Sequence, residues 1–242
     1  MACAIAFLYY FYILTRKYLL YNPFMKKIIN SLLDWIYKKK CYFCGSSKEN
    51  ISMCSKCFDN MEYAPNNIPR EINNTKVYCA GEYQKELQKL IRGLKYHNKK
   101  ELAYFLAKFM FEYMKNLDFA TQDFCIVPVP LFKEREKQRK YNHMQLVAEE
   151  LSKLCGKEVN NEIVKRIKDT KPQYKLNKNQ RMENLSNAFL INSDKKPNST
   201  ILLIDDICTT GSTFESITKE LSKNGIQNVI CLAATTPYLE FI

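Results

Sequence analysis

Thirteen consecutive residues, Ile201 to Thr213 (ILLIDDICTTGST), leave this chain few folds to choose from. Ile201 to Ile204 are four apolar residues in a row, and such a run suits a strand buried on both faces of a parallel sheet. Asp205 and Asp206 follow at its C-terminal edge, where open α/β sheets collect their ligands. Thr209, Thr210, Gly211, Ser212 and Thr213 then turn the chain into a helix. Gly211 permits close backbone approach, and the amides, hydroxyls and helix N-terminus together form an anion cradle. Two carboxylates just before such a cradle suit the vicinal hydroxyls of a ribose 5-phosphate. The bland alternative is a generic strand-turn-helix with acidic residues at its edge.

The flanking sequence extends this pattern in both directions. Phe214 to Asn224 predicts a helix capped by Gly225, and Val229 to Ala233 a further strand. Upstream, Val77 to Tyr83 and Phe124 to Pro130 (FCIVPVP) read as strands. Leu87, Leu90, Ile91 and Leu94 form the stripe of a helix over residues 83–96, and Leu102, Phe105, Leu106, Phe109 and Met110 that of a second over 99–114. Met144 to Leu154 predicts a helix ending near Gly156, and Glu162 to Ile167 a short strand. Residues 131–142 are charged and carry no element in this reading. Strands alternating with helices mean β-α-β crossovers, a mainly parallel sheet and an α/β domain over residues 77–242. Residues 61–76, with Pro65, Pro69 and paired asparagines, read as a linker.

Cys41-x2-Cys44 and Cys54-x2-Cys57 stand nine residues apart. Two such turns offer four thiolates to one tetrahedral Zn²⁺. A segment this short cannot bury a core, so the metal would supply its folding energy. Four thiolates leave no open position, so the expected role is scaffold or recognition. The alternatives are four cysteines that merely lie close together and a redox CxxC, which needs only one pair. The module spans residues 25–64, beginning with a helix built on Ile28, Ile29, Leu32, Leu33 and Ile36. Six further cysteines are scattered in apolar surroundings, which fits a reducing cytoplasm better than a disulfide framework.

Ala2 to Leu14 is apolar, but its 13 residues fall short of the roughly 20 needed to cross a bilayer. Its charges, Arg16 and Lys17, follow the run instead of preceding it, the reverse of a signal peptide. Residues 1–24 are read as untranslated, with Met25 as the start. The alternatives are a peripheral segment at the inner face of the membrane and a packed helix. No integral span is expected. The 37 Lys and Arg against 25 Asp and Glu give a net charge of +12, which attracts polyanions such as nucleic acid or phosphorylated metabolites.

The Ile201 to Thr213 run resembles the phosphoribosyl pyrophosphate (PRPP) motif of type I phosphoribosyltransferases, and all its positions fit. Around it stand, in order, the cysteine pairs, LIRGLKY (Leu90 to Tyr96), VPVP (Val127 to Pro130), RKYNHMQLVAEELSK (Arg139 to Lys153) and KDTKPQYKLNKNQRMENLSNAF (Lys168 to Phe189). This ordered set resembles the competence protein F family, which joins a zinc ribbon to a phosphoribosyltransferase-like domain.

The resemblance implies a type I phosphoribosyltransferase-like α/β fold behind an N-terminal zinc ribbon. It implies PRPP with Mg²⁺ at Asp205, Asp206, Thr209, Thr210, Gly211, Ser212 and Thr213, and structural Zn²⁺ at Cys41, Cys44, Cys54 and Cys57. Lys133 and Arg139 become pyrophosphate-loop candidates, and Arg181 belongs to a basic mobile loop. The implied function is DNA uptake in natural transformation, with single-stranded DNA and a DNA-translocating helicase as partners. An active phosphoribosyltransferase with an unknown nitrogen acceptor is the rival, and no catalytic residue is assigned. The family has an RGFNQ-like sequence where this chain has Arg139-Lys140-Tyr141-Asn142-His143. If the family glycine serves pyrophosphate, Lys140 puts that contact in doubt. Tyr96, His97, Tyr141 and Tyr174 are candidates to stack on bases, each set against a plain packing role, and His143 reads as a solvated loop residue, with a catalytic acid-base as the alternative.

Overall fold

A computed structural model describes residues 38–65, 68–168 and 187–237. The apolar segment 1–24, the helix expected before Cys41, and most of the basic loop, with Tyr174 and Arg181, lie outside the described residues. The chain divides into two compact units, Met1–Cys54 and Ser55–Ile242.

In the first unit, residues 38–54 form a tight turn held by backbone hydrogen bonds. Cys41 N–H donates to the Ser46 carbonyl at 2.8 Å, Gly45 N–H to that of Cys41 at 2.9 Å, and Tyr42 N–H to that of Ser52 at 2.8 Å. Gly45 takes a positive φ of 75°, a conformation that costs a residue with a Cβ about 1–2 kcal/mol.

The second unit opens with the short helix α1 (Ser55–Asp59) and centres on a five-stranded sheet. Its strands are β1 (Arg70–Ile72), β2 (Thr75–Glu82), β3 (Phe124–Pro128), β6 (Thr200–Ile207) and β7 (Val229–Thr236). The order is β1-β2-β7-β6-β3, with β1 antiparallel to β2 and every other pairing parallel. β4 (Val164–Arg166) and β5 (Phe189–Ile191) make a separate antiparallel pair. The helices are α2 (Lys85–Tyr96), α3 (Ala103–Met114), α4 (Lys133–Arg139), α5 (His143–Cys155) and α6 (Ser212–Lys223). This is the mainly parallel, helix-flanked sheet of a type I phosphoribosyltransferase-like domain. None of the helices among the described residues is long and apolar enough to cross a membrane.

The pleat explains the two cores. Val77, Cys79, Ile201, Leu203, Cys231 and Ala233 point to one face. There they join Phe214, Ile217 and Leu221 of α6 and Ile163, Val164, Phe189 and Ile191 around the small ladder. The alternate residues Tyr78, Ala80, Leu202, Ile204, Leu232 and Ala234, all buried, face the opposite side. α3 and α5 pack on each other and on that side of the sheet.

α1, β5, β1 and α4 have no counterpart in the sequence expectation, and β6 runs longer than expected. β1 lies within the stretch read as a linker; three residues with one apolar side chain give no periodicity to detect. α4 occupies the charged stretch 133–139, and none of its residues is buried, so no apolar stripe announces it. β6 continues through Ile207, so Asp205 and Asp206 lie inside the strand and not after it.

Candidate functional site

Asp205 and Asp206 are consecutive in a strand, so their side chains leave the sheet on opposite faces. Asp205 points to the side that carries α6 and the turn before it. Asp206 points to the side of α2 and α5. The two carboxylates are therefore unlike in surroundings and in charge.

Asp206 is 4% exposed. Lys95 Nζ, from the last turn of α2, lies 2.6 Å from its Oδ2. His143 Nε2, from the first residue of α5, bonds to the same oxygen. Burial alone would raise the Asp206 pKa, but the Lys95 charge and the His143 contact win and hold the carboxyl well below the usual carboxylate range. His143 is buried, which lowers its pKa against the pull of Asp206. The neutral ring thus donates from Nε2 to Asp206 and offers Nδ1 to Arg139 Nη1, 3.5 Å away. LIRGLKY and RKYNH, set apart in sequence, meet at one carboxylate.

Asp205 is partly exposed, and its Oδ1 accepts the Asp206 N–H at 2.9 Å. Burial and then the Asp206 charge push its pKa up to about 7, with Lys95, the Asp206 amide and Arg166 acting against the rise. Arg166, at the end of β4, is a neighbour that its sequence context gave no signal for.

Beyond the strand the chain is fixed on several sides. Cys208 N–H donates to the Thr235 carbonyl at 2.8 Å, and Thr235 Oγ1 donates to the Asp206 carbonyl at 3.0 Å. The Cys208 side chain sits in the core with Cys79 and Cys231. Arg70 Nη1 donates to the Thr209 carbonyl at 3.2 Å. Thr210 and Ser212 hydroxyls bond at 2.6 Å. Gly211 precedes α6 with φ +80°, and a Cβ there would lie 2.1 Å from Ile72 Cδ1. Gly211 is thus required by its own dihedral and by β1 pressing on it. Thr209, Thr210 and Thr213 keep partial exposure, whereas Ser212 is buried. The turn is a cradle of hydroxyls and helix-start amides on the Asp205 side of the sheet.

The remaining candidates separate. Lys133 is exposed at the start of α4. Arg139 ends α4, beside His143. Lys140 has φ +66°, the left-handed position that closes α4. Lys140 thus stands where the backbone conformation favours a glycine. Asn142 caps α5, its Oδ1 accepting from Met144 N–H at 3.0 Å. Tyr141 is buried and donates to the Leu94 carbonyl at 2.5 Å, a packing role that removes it from the stacking candidates. Tyr96 is 66% exposed and carries the Arg139 guanidinium 5.4 Å from its ring centre. His143, expected to be solvated, is 2% exposed and belongs to the site. The sequence carried no hint of this, because its partner is remote in the chain.

The four thiols of Cys41, Cys44, Cys54 and Cys57 lie within 4.8 Å of one another. Cys44 and Cys54 sulfurs are 3.7 Å apart, close to the ~3.8 Å edge of a tetrahedron with metal–sulfur bonds of about 2.3 Å. Burial raises the Cys41 pKa, but amides of Cys44, Cys54 and Phe43 aim at its sulfur and bring it down to about 6. The donor set fits one soft, tetrahedral metal ion.

No family model matches the chain. It is 30% identical to competence protein F of Haemophilus influenzae over 78% of this chain and 86% of that protein. It is 26% identical to DNA utilization protein YhgH of Salmonella typhimurium, covering 81% and 90% of the two chains. It is 28% identical to competence protein ComFC of Bacillus subtilis, covering 76% and 72%.

Proposed function

The chain belongs to the competence protein F family, and on that premise we propose that it binds PRPP, or a related ribose 5-phosphate, and single-stranded DNA, serving DNA uptake in natural transformation. One observation carries the ligand: Asp206, inside the DDICTTGST run, is held ionised by Lys95 and His143, so three separated motifs converge on one carboxylate. With Oδ2 engaged, Oδ1 is the oxygen left for a ribose hydroxyl. The Thr209 to Thr213 cradle takes the 5′-phosphate, and Asp205 sits between the two. Mg²⁺ arrives with PRPP, neutralising its pyrophosphate, and Lys133, Arg139 and Arg181 are the basic candidates to meet it.

The DNA role rests on the names of the relatives, which speak of competence and DNA utilization, and on the net charge of +12. The incoming strand is met in the cytoplasm, with a DNA-translocating helicase as the partner. The four cysteines hold Zn²⁺ as a structural ion.

Calorimetric titration of PRPP with Mg²⁺ is the test, beside Asp205→Asn and a Thr210→Ala/Thr213→Ala double variant that leaves the buried ion pair intact. Saturable binding by the wild type, weakened at least tenfold in both variants, is the expected result. A folded, zinc-loaded wild type that binds no PRPP refutes the ligand. One observation favours enzymatic activity as a second reading: an Asp205 carboxyl near pH 7 is suited to exchanging a proton. Pyrophosphate release from PRPP in the presence of a base or amine would establish it.

A further inference from the structure

Among the described large apolar and aromatic side chains, Tyr96 is the most exposed, at 66%. A lone exposed ring on a surface needs no explanation. This one has a built setting. Its chain neighbour Lys95 reaches the buried Asp206 carboxylate at 2.6 Å, which fixes the end of α2 at the edge of the site. The Arg139 guanidinium lies 5.4 Å from the ring centre and is itself steered by His143 Nδ1, whose other nitrogen holds Asp206. One side of the ring thus faces a cation anchored to the site, and the residue keeps about two thirds of its surface in solvent.

The surroundings continue the pattern. Tyr83, just past the C-terminal end of β2, is partly buried; burial first, then the fields of Lys95, Asp206, Tyr96 and Arg92, act on its hydroxyl, which places all five in one neighbourhood. Arg92 is exposed on α2, and Lys99 and Lys100 follow in the next turn. Aromatic faces interleaved with cations, at the edge where the strands end, are what an unpaired nucleic-acid strand requires. Bases stack on the rings and phosphates meet the charges. A duplex hides its base faces and would gain only the charges.

We propose that Tyr96, backed by Arg139, is a stacking platform for the bases of single-stranded DNA at the C-terminal edge of the sheet, beside the Asp206 site. This rests on the DNA reading above and locates it on the phosphoribosyltransferase-like domain. The platform takes any base, because every base offers a π face, so it confers strand binding without sequence preference.

The test is fluorescence anisotropy of the full-length, zinc-loaded protein with labelled oligothymidylate, repeated over a range of salt. Tyr96→Ala should weaken binding roughly tenfold to a hundredfold. The slope of log affinity against log salt should stay unchanged, because no charge is removed. Tyr96→Phe should bind like the wild type. On the wild type, photocrosslinking with 5-iodouracil in the strand should label the peptide containing Tyr96. Unchanged affinity in Tyr96→Ala, with crosslinks mapping elsewhere, overturns the platform and leaves the DNA reading standing. A Tyr96→Phe variant as weak as Tyr96→Ala overturns stacking in favour of a hydroxyl contact. A wild type that binds no strand at low salt overturns both.

Discussion

Alanine at position 211 would put a methyl group into a place already taken. Gly211 has φ +80°, and a residue with a Cβ in the left-handed region costs roughly 1–2 kcal/mol. That Cβ would also lie 2.1 Å from Ile72 Cδ1. The clashing atom is the end of a flexible side chain, so it can swing aside, at about 0.5–1.5 kcal/mol for an off-rotamer torsion. The sum for Gly211→Ala is about 1.5–3.5 kcal/mol, a large share of the ~5–15 kcal/mol that holds a typical domain together. Urea denaturation followed by circular dichroism measures it. The two contributions separate in a double-mutant cycle with Ile72→Ala. The pair should cost about 0.5–1.5 kcal/mol less than the two single changes added, because trimming Ile72 removes the clash but not the dihedral strain. A Gly211→Ala variant within about 0.5 kcal/mol of the wild type would refute the conformational argument. Strict additivity would refute the contact with β1.

Four further outcomes follow from the site and the cysteines. Lys140→Gly should stabilise by about 0.5–1 kcal/mol in the same assay, since relief of the left-handed strain exceeds the entropy glycine adds to the unfolded chain. His143→Gln, restoring the residue of the RGFNQ-like pattern, should keep a donor to Asp206 and remain near wild-type stability, whereas His143→Ala should lose about 1–3 kcal/mol by leaving a buried carboxylate oxygen short of a partner. Asp205 is mostly protonated below pH 7 and ionised above it, and ribose hydroxyls donate to the ionised form. PRPP affinity should therefore climb between about pH 6 and 8, with proton release seen by calorimetry in buffers of different ionisation heat, and Asp205→Asn should flatten the profile. Chelation should remove about one zinc per chain, measured with a colorimetric dye, and unfold the cysteine module as seen by proteolysis.

The carboxylate environments explain why the two acids looked alike in sequence and are not alike in space. Residues 205 and 206 are the same amino acid, one position apart, and the pleat alone sends them to opposite faces. What each meets there depends on α2 and α5 on one side and on β4 and α6 on the other. The result is one carboxyl held low and its neighbour raised to about 7.

Sequence by itself determined the order of buried strands and amphipathic helices, the acidic run closing on a glycine turn, and the four thiols placed for one metal ion. These are local properties: side-chain period, turn chemistry and ligand spacing act within a few residues. Only the tertiary structure decided that Lys95 and His143 share Asp206, that Arg70 and Ile72 of a three-residue edge strand brace the Thr209–Gly211 turn, and that Tyr141 is packed while Tyr96 is not. Such partnerships depend on which strands pair and on where each helix end falls over the sheet edge, and no short-range pattern encodes the distance between residues so far apart in the chain.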